Sequence, residues 1–297
     1  MGLFLLFATS GLAQQRVQFT QYMFNGLVIN PAYAGVDEKL NVTLISRDQW
    51  TGIDGAPKTQ TLSAHTLLKK KQFGLGFTLV NDQVGVHREV DASVCYAYHV
   101  RVGEESYLSM GYQTGIKSLR SDYASLTTSN STDPYLFNLV TKQLFLDMAA
   151  GVYYRNPRLQ VGFSIPEMLR QKFHVNDTLS VHLNTSNFFL FTRYRLTVNQ
   201  DIAFEPSFLI KYLNGVPLSF DINANWVYRG AVTMGLSYRK NESADFLFKA
   251  QVSQQLQIGY AYDYPIKTGT AMNAGGSHEL MLQYLFTFFK KNVRSPR

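Results

Sequence analysis

Residues 280–289, LMLQYLFTFF, decide the fold class, because large apolar side chains alternate there with smaller or more polar ones. One face carries Leu280, Leu282, Tyr284, Phe286 and Phe288, and the other carries Met281, Gln283 and Thr287. Successive side chains of a β-strand point to opposite faces of its sheet, so this pattern predicts a strand with one apolar and one wetter face. The fold then depends on which solvent the apolar face meets.

The same alternation recurs along the chain, for example in residues 73–79 (FGLGFTL), 232–239 (VTMGLSYR) and 256–264 (LQIGYAYDY). The second face is rich in Gly, Ser, Thr, Gln and Asn, whereas Lys, Glu and Thr dominate the outward face of a soluble β-sandwich. Small polar residues suit the inside of a wide barrel, and aromatic residues near strand ends suit its membrane girdles. The pattern therefore predicts an all-β fold, a transmembrane antiparallel β-barrel, over the alternative of a soluble β-protein.

Composition agrees with a membrane barrel. The chain has 297 residues and a mean hydropathy of −0.12, and none of its apolar runs approaches the roughly 20 residues that a spanning helix needs. Aromatic residues make up 14% of the chain and charged residues 16%, against about 25% charged in typical soluble domains. No linker or shift in composition divides the chain, as expected if one barrel closes as a single unit.

The alternating segments number about fourteen, and single-chain bacterial outer-membrane barrels have an even strand number. They lie near 40–50, 58–68, 72–82, 88–101, 105–118, 142–155, 158–164, 187–196, 202–210, 216–228, 230–240, 244–252, 255–264 and 278–289. Tight turns such as 155–158 contrast with three long, polar or Gly-rich loops at 119–141, 165–186 and 265–277. Short turns on one rim and long loops on the other are typical of membrane barrels.

The N-terminus indicates export. Residues 3–12 are apolar and end in Gly-Leu-Ala before Gln14, which predicts a signal peptide over 1–13 with cleavage after Ala13. No Lys or Arg precedes Arg16, so we expect the natural start to lie upstream. The remaining organisation is then an N-terminal segment over 14–39, an outer-membrane barrel over 40–289 and a basic tail over 290–297.

Several function classes are disfavoured. The net charge of +7 is scattered, with dense runs only at 69–71 and 290–291, so we predict no nucleic-acid partner. The single Cys95 excludes an intramolecular disulfide and a cysteine zinc site. The six histidines form no HxxxH or HxH pair, and a triple such as Asp91, Ser93 and His99 arises by chance in a barrel with many polar residues. We therefore predict no catalytic residues, no metal site and no cofactor.

A set of ordered motifs carries a specific resemblance. The motifs are Gln21–Asn25 (QYMFN), Asn30–Gly35 (NPAYAG), Arg47–Gly52 (RDQWTG), Gly55–Thr59 (GAPKT), Gly74–Gly76 (GLG), Asn81–Gly85 (NDQVG), Gly235–Arg239 (GLSYR), Gly259–Asp263 (GYAYD) and Gly276–Leu280 (GSHEL). Together they resemble the PorP/SprF family of type IX secretion-associated membrane proteins of Bacteroidota. The resemblance runs from about residue 18 to 289, nearly the whole mature chain.

The resemblance implies an outer-membrane barrel that works with type IX secreted cell-surface proteins. Its partner is expected to be a large adhesin or gliding protein with a type B C-terminal sorting domain, which it helps to export or to anchor at the surface. Translocon components, peptidoglycan-linked components and outer-membrane lipid are further expected partners. The alternative is a diffusion pore or small-molecule transporter, because a polar lumen face alone does not distinguish an open channel from a plugged one.

The motif positions are the candidate site residues, as structural groups or partner contacts. They are Asn30, Pro31, Tyr33, Gly35, Arg47, Trp50, Gly52, Gly55, Pro57, Asp82, Gly85, Gly276, Ser277, His278 and Glu279. Residues 14–39 are predicted to plug the barrel mouth with Tyr22, Phe24 and Tyr33 as anchors, the alternative being a plain periplasmic extension. We expect partner recognition through the three long loops.

Individual motif residues also have physical interpretations. Pro31 biases Asn30 toward extended backbone, and Gly35 permits a turn. Arg47 is predicted to face the lumen and Trp50 to anchor at the membrane interface. His278 and Glu279 are expected to hydrogen-bond a loop or the N-terminal segment to the rim.

Overall fold

The computed structural model describes residues 17–68, 72–123, 140–169, 171–174, 180–183, 187–213, 217–266 and 275–286. The predicted signal peptide, both basic runs and the basic tail lie outside these residues, as do most of the three long loops. The two short helices within the described residues, Gly26–Val28 and Pro31–Tyr33, are 3-10 helices of three residues each. Among the described residues no helix is long and apolar enough to cross a membrane.

Strands make up most of the rest of the described chain. In chain order they are β1 (Leu40–Asp48), β2 (Lys58–Leu67), β3 (Phe73–Val84), β4 (His87–Arg101), β5 (Tyr107–Asp122), β6 (Val140–Arg155), β7 (Leu159–Ile165), β8 (Gln171–His174), β9 (Ser180–Leu183), β10 (Asn187–Tyr194), β11 (Leu196–Thr197), β12 (Ile202–Leu213), β13 (Ser219–Tyr228), β14 (Val232–Arg239), β15 (Ser243–Gln251), β16 (Leu256–Pro265) and β17 (Ser277–Phe286). Each predicted segment overlaps one or more of these strands.

The strands close into a barrel of antiparallel neighbours. β1 pairs with β17, with Arg47 opposite Glu279, and this pairing joins the two ends of the chain. β10 pairs with both β7 and β12, which closes the ring. Strands β1–β7, β10 and β12–β17 form this ring, whereas β8 and β9 form a separate hairpin and the short β11 continues along β12. The predicted antiparallel barrel of about fourteen strands is confirmed.

The apolar face of each strand points away from the lumen. In β17 the side chains of Leu280 and Leu282 are 60% and 44% exposed, whereas Met281 and Gln283 are 3% and 5% exposed. A soluble barrel would bury the leucines, so this direction selects a lipid-facing surface. Removal of apolar surface from water contributes about 25 cal/mol per Å². This face leaves water only when the barrel lies in a membrane, so it stabilises the barrel only there.

The two rims differ. The inner rim carries short connections at 102–106, 156–158, 229–231 and 252–255, together with the start of β1 and the end of β17. The outer rim carries the short β3–β4 and β14–β15 turns, the β1–β2 loop at 49–57, and the long segments that join β5 to β6, β7 to β10 and β16 to β17. In outer-membrane barrels short turns face the periplasm and long loops face the exterior. The outer rim is therefore the cell-surface end.

Candidate functional site

Residues 17–36, the plug segment, lie inside the barrel. Every residue from Phe19 to Val36 is buried, and the two 3-10 helices are enclosed on all sides. The anchors proposed from the sequence, Tyr22, Phe24 and Tyr33, belong to the buried core. Burial raises the pKa of the Tyr22 and Tyr33 phenols well above the ordinary value, so both side chains stay neutral. The lumen is thus packed by the chain's own N-terminal segment.

A cluster of charged groups near the outer rim binds the start of the plug. The two carboxylate oxygens of Glu279 accept the backbone N–H groups of Thr20 and Gln21 at 2.8 and 2.9 Å. The Thr20 hydroxyl donates to Asp263 at 2.8 Å and accepts from Arg47 at 2.8 Å. Arg47 also forms ion pairs with Asp263 at 2.6 Å and with Glu279 at 3.1 Å. These residues, Arg47, Asp263 and Glu279, are hereafter the outer clamp.

The outer clamp is buried, which decides how it acts. Arg47 and Glu279 are 2% and 0% exposed. A buried ion pair adds little net stability when both partners are present, but loss of one partner costs about 3–5 kcal/mol. The clamp therefore specifies where the plug binds more than it stabilises the barrel as a whole.

Neutral contacts hold the middle of the plug. Asn223 donates to the Tyr22 hydroxyl at 2.6 Å, and the Asn25 side chain donates to Ser63 at 2.8 Å. The Tyr22 ring meets Phe191 edge-on at a centroid distance of 6.0 Å. Because these partners lie on β13, β2 and β10, the plug is bound around the circumference of the wall rather than to one side.

Asn30 fixes the second 3-10 helix to the wall. Its side-chain oxygen accepts the Ala32 N–H at 2.9 Å, which caps the helix that begins at Pro31. Its amide nitrogen donates to the carbonyl oxygens of Val152 and Phe163 at 3.1 and 3.2 Å. A methyl group added at Gly151 would lie 2.2 Å from the Asn30 oxygen, so a glycine in β6 permits this close approach.

Two histidines bind the end of the plug near the inner rim. The Gly35 N–H donates to His65 Nδ1 at 3.1 Å, and Gly35 has a φ of +86° that favours glycine. His99 Nε2 donates to the Ala34 carbonyl at 2.8 Å, so its Nδ1 accepts from the Ser109 hydroxyl at 2.6 Å. Both ring nitrogens of His99 are thus used in packing, and the Asp91, Ser93 and His99 triple does not assemble.

A second group of candidate residues meets at the outer rim. The Trp50 N–H donates to the Ser277 hydroxyl at 3.3 Å, and the Thr51 N–H donates to the Gly276 carbonyl at 3.2 Å. The Gly85 N–H donates to the Gly55 carbonyl at 2.8 Å. We call this surface, formed by residues 48–58, 82–85 and 275–278, the rim patch. It joins the β1–β2 loop, the β3–β4 turn and the start of β17.

The remaining candidates of the rim patch support its backbone. The Pro57 carbonyl accepts the Gln49 N–H at 2.9 Å, and Asp82 accepts from the Thr59 hydroxyl. Gly52 is exposed within the β1–β2 loop. His278 bonds the Tyr260 hydroxyl at 2.8 Å on the outside of the wall, and most of the loop that it was expected to hold lies outside the described residues. Glu279 meets that expectation, through the plug.

The rim patch presents apolar groups on a defined backbone. Trp50 has a φ of +46°, which is costly for a residue with a side chain and is held here by the bond to Ser277. Ile53 and Val84 are about as exposed as Trp50, near 40%. Exposed apolar side chains that form a contiguous patch are typical of contact surfaces.

The structure thus separates the fifteen candidates into two groups. Asn30, Pro31, Tyr33 and Gly35 lie in the plug, whereas the rim patch holds the loop and turn positions. Arg47 and Glu279 connect the groups, because they lie below the rim patch and bind the plug. Among the described residues no three His, Cys, Asp or Glu side chains converge as a metal-ligand set.

The sequence reasoning missed several residues of the site. Asp263, Thr20 and Asn223 bind the plug or its clamp, as do His65 and His99. One signal was available for Asp263, which is an acidic residue on the small-residue face of an aromatic-rich strand. Its partners depend on barrel closure and could not be read from spacing.

Comparison with protein families decides the assignment. The model of the type IX secretion system membrane protein PorP/SprF family matches residues 11–284, most of the chain. The protein belongs to the PorP/SprF family. The match includes the plug segment, the outer clamp and the rim patch, so the site described above lies within the family region. No curated protein matches this PorP/SprF chain in sequence.

Solved structures of similar fold are outer-membrane barrels. Omp33 of Acinetobacter baumannii matches with a TM-score of 0.51 at 7% identity, over 84% of this chain and 98% of that one. A Pseudomonas aeruginosa FadL homologue matches with a TM-score of 0.50 at 12% identity, over 87% and 93%. The CymD monoaromatic hydrocarbon channel matches with a TM-score of 0.51 at 11% identity, over 90% and 93%. At these identities the PorP/SprF barrel shares their fold alone, and it is a multi-pass protein of the outer membrane.

Proposed function

We propose that this PorP/SprF barrel is a non-enzymatic outer-membrane partner of type IX secretion, needed for export or surface anchoring of a cognate secreted protein. The substrate is expected to be a large adhesin or gliding protein with a type B C-terminal sorting domain. The plug segment is the observation that carries the proposal. Because it fills the lumen and is bonded to strands around the wall, the activity of this barrel is expected at its outer end.

The rim patch is the contact surface we assign to the partner. Trp50 and Ile53 supply exposed apolar area, and the backbone around them is fixed by bonds to Gly276 and Ser277. Binding energy in protein interfaces concentrates in such ordered aromatic and aliphatic anchors. The loops 119–141, 165–186 and 265–277 lie on the same rim, mostly outside the described residues, and add surface for strand pairing or loop packing with a β-rich sorting domain.

An affinity pull-down tests the partner role. A tagged copy is purified from a detergent extract of the outer membrane, and co-purifying proteins are identified by mass spectrometry. We expect a large secreted protein with a C-terminal sorting domain, and Ile53→Asn should reduce its recovery. Val252→Asn is the matched control, because Val252 is an exposed apolar residue on the inner rim. Equal loss in both variants, or no such partner with the native protein, would refute the assignment.

A small-molecule transporter is the second candidate, and one cavity favours it. A recess with a free volume of about 70 Å³, partly open to solvent, lies between the plug and the wall near the outer rim. It is lined mainly by apolar groups, including Phe19, Ile29, Leu209 and Leu213. Single-channel recording in planar bilayers separates the candidates, because a transporter pore gives steady conductance and a plugged anchor gives none.

A further inference from the structure

A row of oxygen-bearing side chains crosses the wall behind Tyr22. Asp245 lies directly opposite Ser237 on β14 and Asp263 on β16, and Ser237 lies opposite Asn223 on β13. Strand alternation turns all four toward the lumen, where each is buried. The Tyr22 hydroxyl, bonded to Asn223, covers the row from the plug side.

Asp245 is the member that makes no well-formed hydrogen bond among the described residues. It is 3% exposed, and neither of its carboxylate oxygens has a hydrogen-bond partner among the described residues. The hydroxyls of Ser237 and Ser243 lie beside it, and the nearest charged groups are Asp263 and Arg239. Like charges directly opposite each other on neighbouring strands destabilise a sheet, and Asp263 is already bound to Arg47.

The charges of the surrounding cluster do not balance. Arg47, Arg239 and Lys211 are its cationic groups, and Asp221, Asp245, Asp263 and Glu279 are its buried carboxylates. Glu242, at the solvent edge, adds a further negative charge against Arg239. Within this cluster the buried carboxylates therefore outnumber the cations by one, and a buried charge without a partner is costly.

Other oxygen-bearing side chains lie in this row or next to it. The side-chain oxygens of Asn223 and Ser243 are buried without a hydrogen-bond partner in the described residues. A bound water could donate to two of them, but it would leave the charge of Asp245 uncompensated. Carboxylate, amide and hydroxyl oxygens are the ligands that hard cations such as Na⁺ and Ca²⁺ take in proteins.

We propose that Asp245, with the oxygens of Asn223, Ser237 and Ser243, binds a hard cation between the plug and the barrel wall. The single uncompensated charge favours Na⁺, and Ca²⁺ has the same ligand chemistry. The ion would stabilise the plugged state, because Asn223, one of its ligands, also donates to the Tyr22 hydroxyl of the docked plug.

Equilibrium binding of radioactive sodium and of radioactive calcium to the purified full chain in detergent tests this site. A mildly alkaline buffer with choline chloride as background salt keeps carboxylates ionised. We expect each barrel to bind about one ion, either Na⁺ or Ca²⁺. The Asp245→Asn variant should lose this binding. Asp201→Asn is the control, because Asp201 is an exposed carboxylate at the inner rim that pairs with Arg229.

A second variant keeps the test decisive if Asp245→Asn does not fold. Ser237→Ala removes one oxygen without changing charge, and we expect about tenfold weaker binding, the loss of roughly one hydrogen-bond equivalent. Native protein that binds neither ion would overturn the proposal and would indicate a proton on Asp245. Binding that is unchanged in both variants would place the ion elsewhere and would also overturn it.

Discussion

Replacement of Glu279 by Gln should release the plug while leaving the barrel closed. The two oxygens of Glu279 each accept one plug N–H, from Thr20 and from Gln21, and one also pairs with Arg47. An amide keeps one acceptor but turns the other position into a donor that faces an N–H group. The substitution is nearly isosteric, so the defect is electronic rather than a cavity.

The size of the effect follows from the groups left unpaired. Loss of one partner of a buried ion pair costs about 3–5 kcal/mol, a range that includes the charge-assisted bonds of the carboxylate. Since about 1.4 kcal/mol is a factor of ten, the undocked population of the plug should rise between about a hundredfold and a few thousandfold. Strand pairing around the ring is untouched, so the barrel itself should remain folded.

Chymotrypsin cleavage and planar-bilayer recording measure this release. The enzyme cleaves after aromatic residues, and Phe19, Tyr22 and Phe24 are buried in the docked plug. Cleavage by way of a transiently open state follows the population of that state, so its rate should rise with the undocked fraction. Channel activity should appear in Glu279→Gln and be absent in Glu104→Gln, which alters an exposed residue of the inner rim. A variant that resists protease and stays silent like the native protein would refute the assigned role of the clamp.

Three further outcomes test other contacts of the plug. Gly151→Ala should lower the free energy of unfolding by about 1–3 kcal/mol, because the added methyl group displaces Asn30. Denaturant unfolding followed by tryptophan fluorescence measures this change, and Gly103→Ala is the control. His99→Phe leaves the Ala34 carbonyl unpaired and should cost a similar 1–3 kcal/mol, roughly; an unchanged midpoint would contradict the bond. Cys95 is 2% exposed, so it should react slowly with a maleimide in the native protein and faster in a variant of the outer clamp. Equal reaction rates in the two proteins would mean that the plug does not shield Cys95.

The fold could be predicted from the sequence because the strand period leaves a direct signal. In β17 the alternation of Leu280, Met281 and Leu282 gives the direction of each side chain without knowledge of any other strand. The second face carries small polar residues rather than charged ones. This composition distinguishes a membrane barrel, whose apolar face meets lipid, from a soluble β-protein, whose apolar face forms the core. The strand number followed by counting, since each crossing contributes one alternating segment.

The contacts of the site could be predicted only in part. The inward direction of Arg47 follows from its strand, and the structure places it in the lumen. Its partners Asp263 and Glu279 are more than two hundred positions away and meet it only because β1 pairs with β17. The role of His99 was equally hidden, because a histidine that binds a carbonyl of the plug has the same sequence signature as any buried histidine.

The position of the outer clamp relates plug docking to barrel closure. Arg47 on β1 and Glu279 on β17 are direct neighbours across the junction of the first and last strands. Before that junction forms, Glu279 has no Arg47 beside it, and the site for Thr20 and Gln21 is incomplete. The complete docking site for the plug therefore exists only after β1 and β17 have paired in the correct register. A one-residue slip would turn either Arg47 or Glu279 toward lipid, where an unpaired charge is strongly disfavoured. The clamp thus contributes to the choice of register as well as to the closure of the lumen.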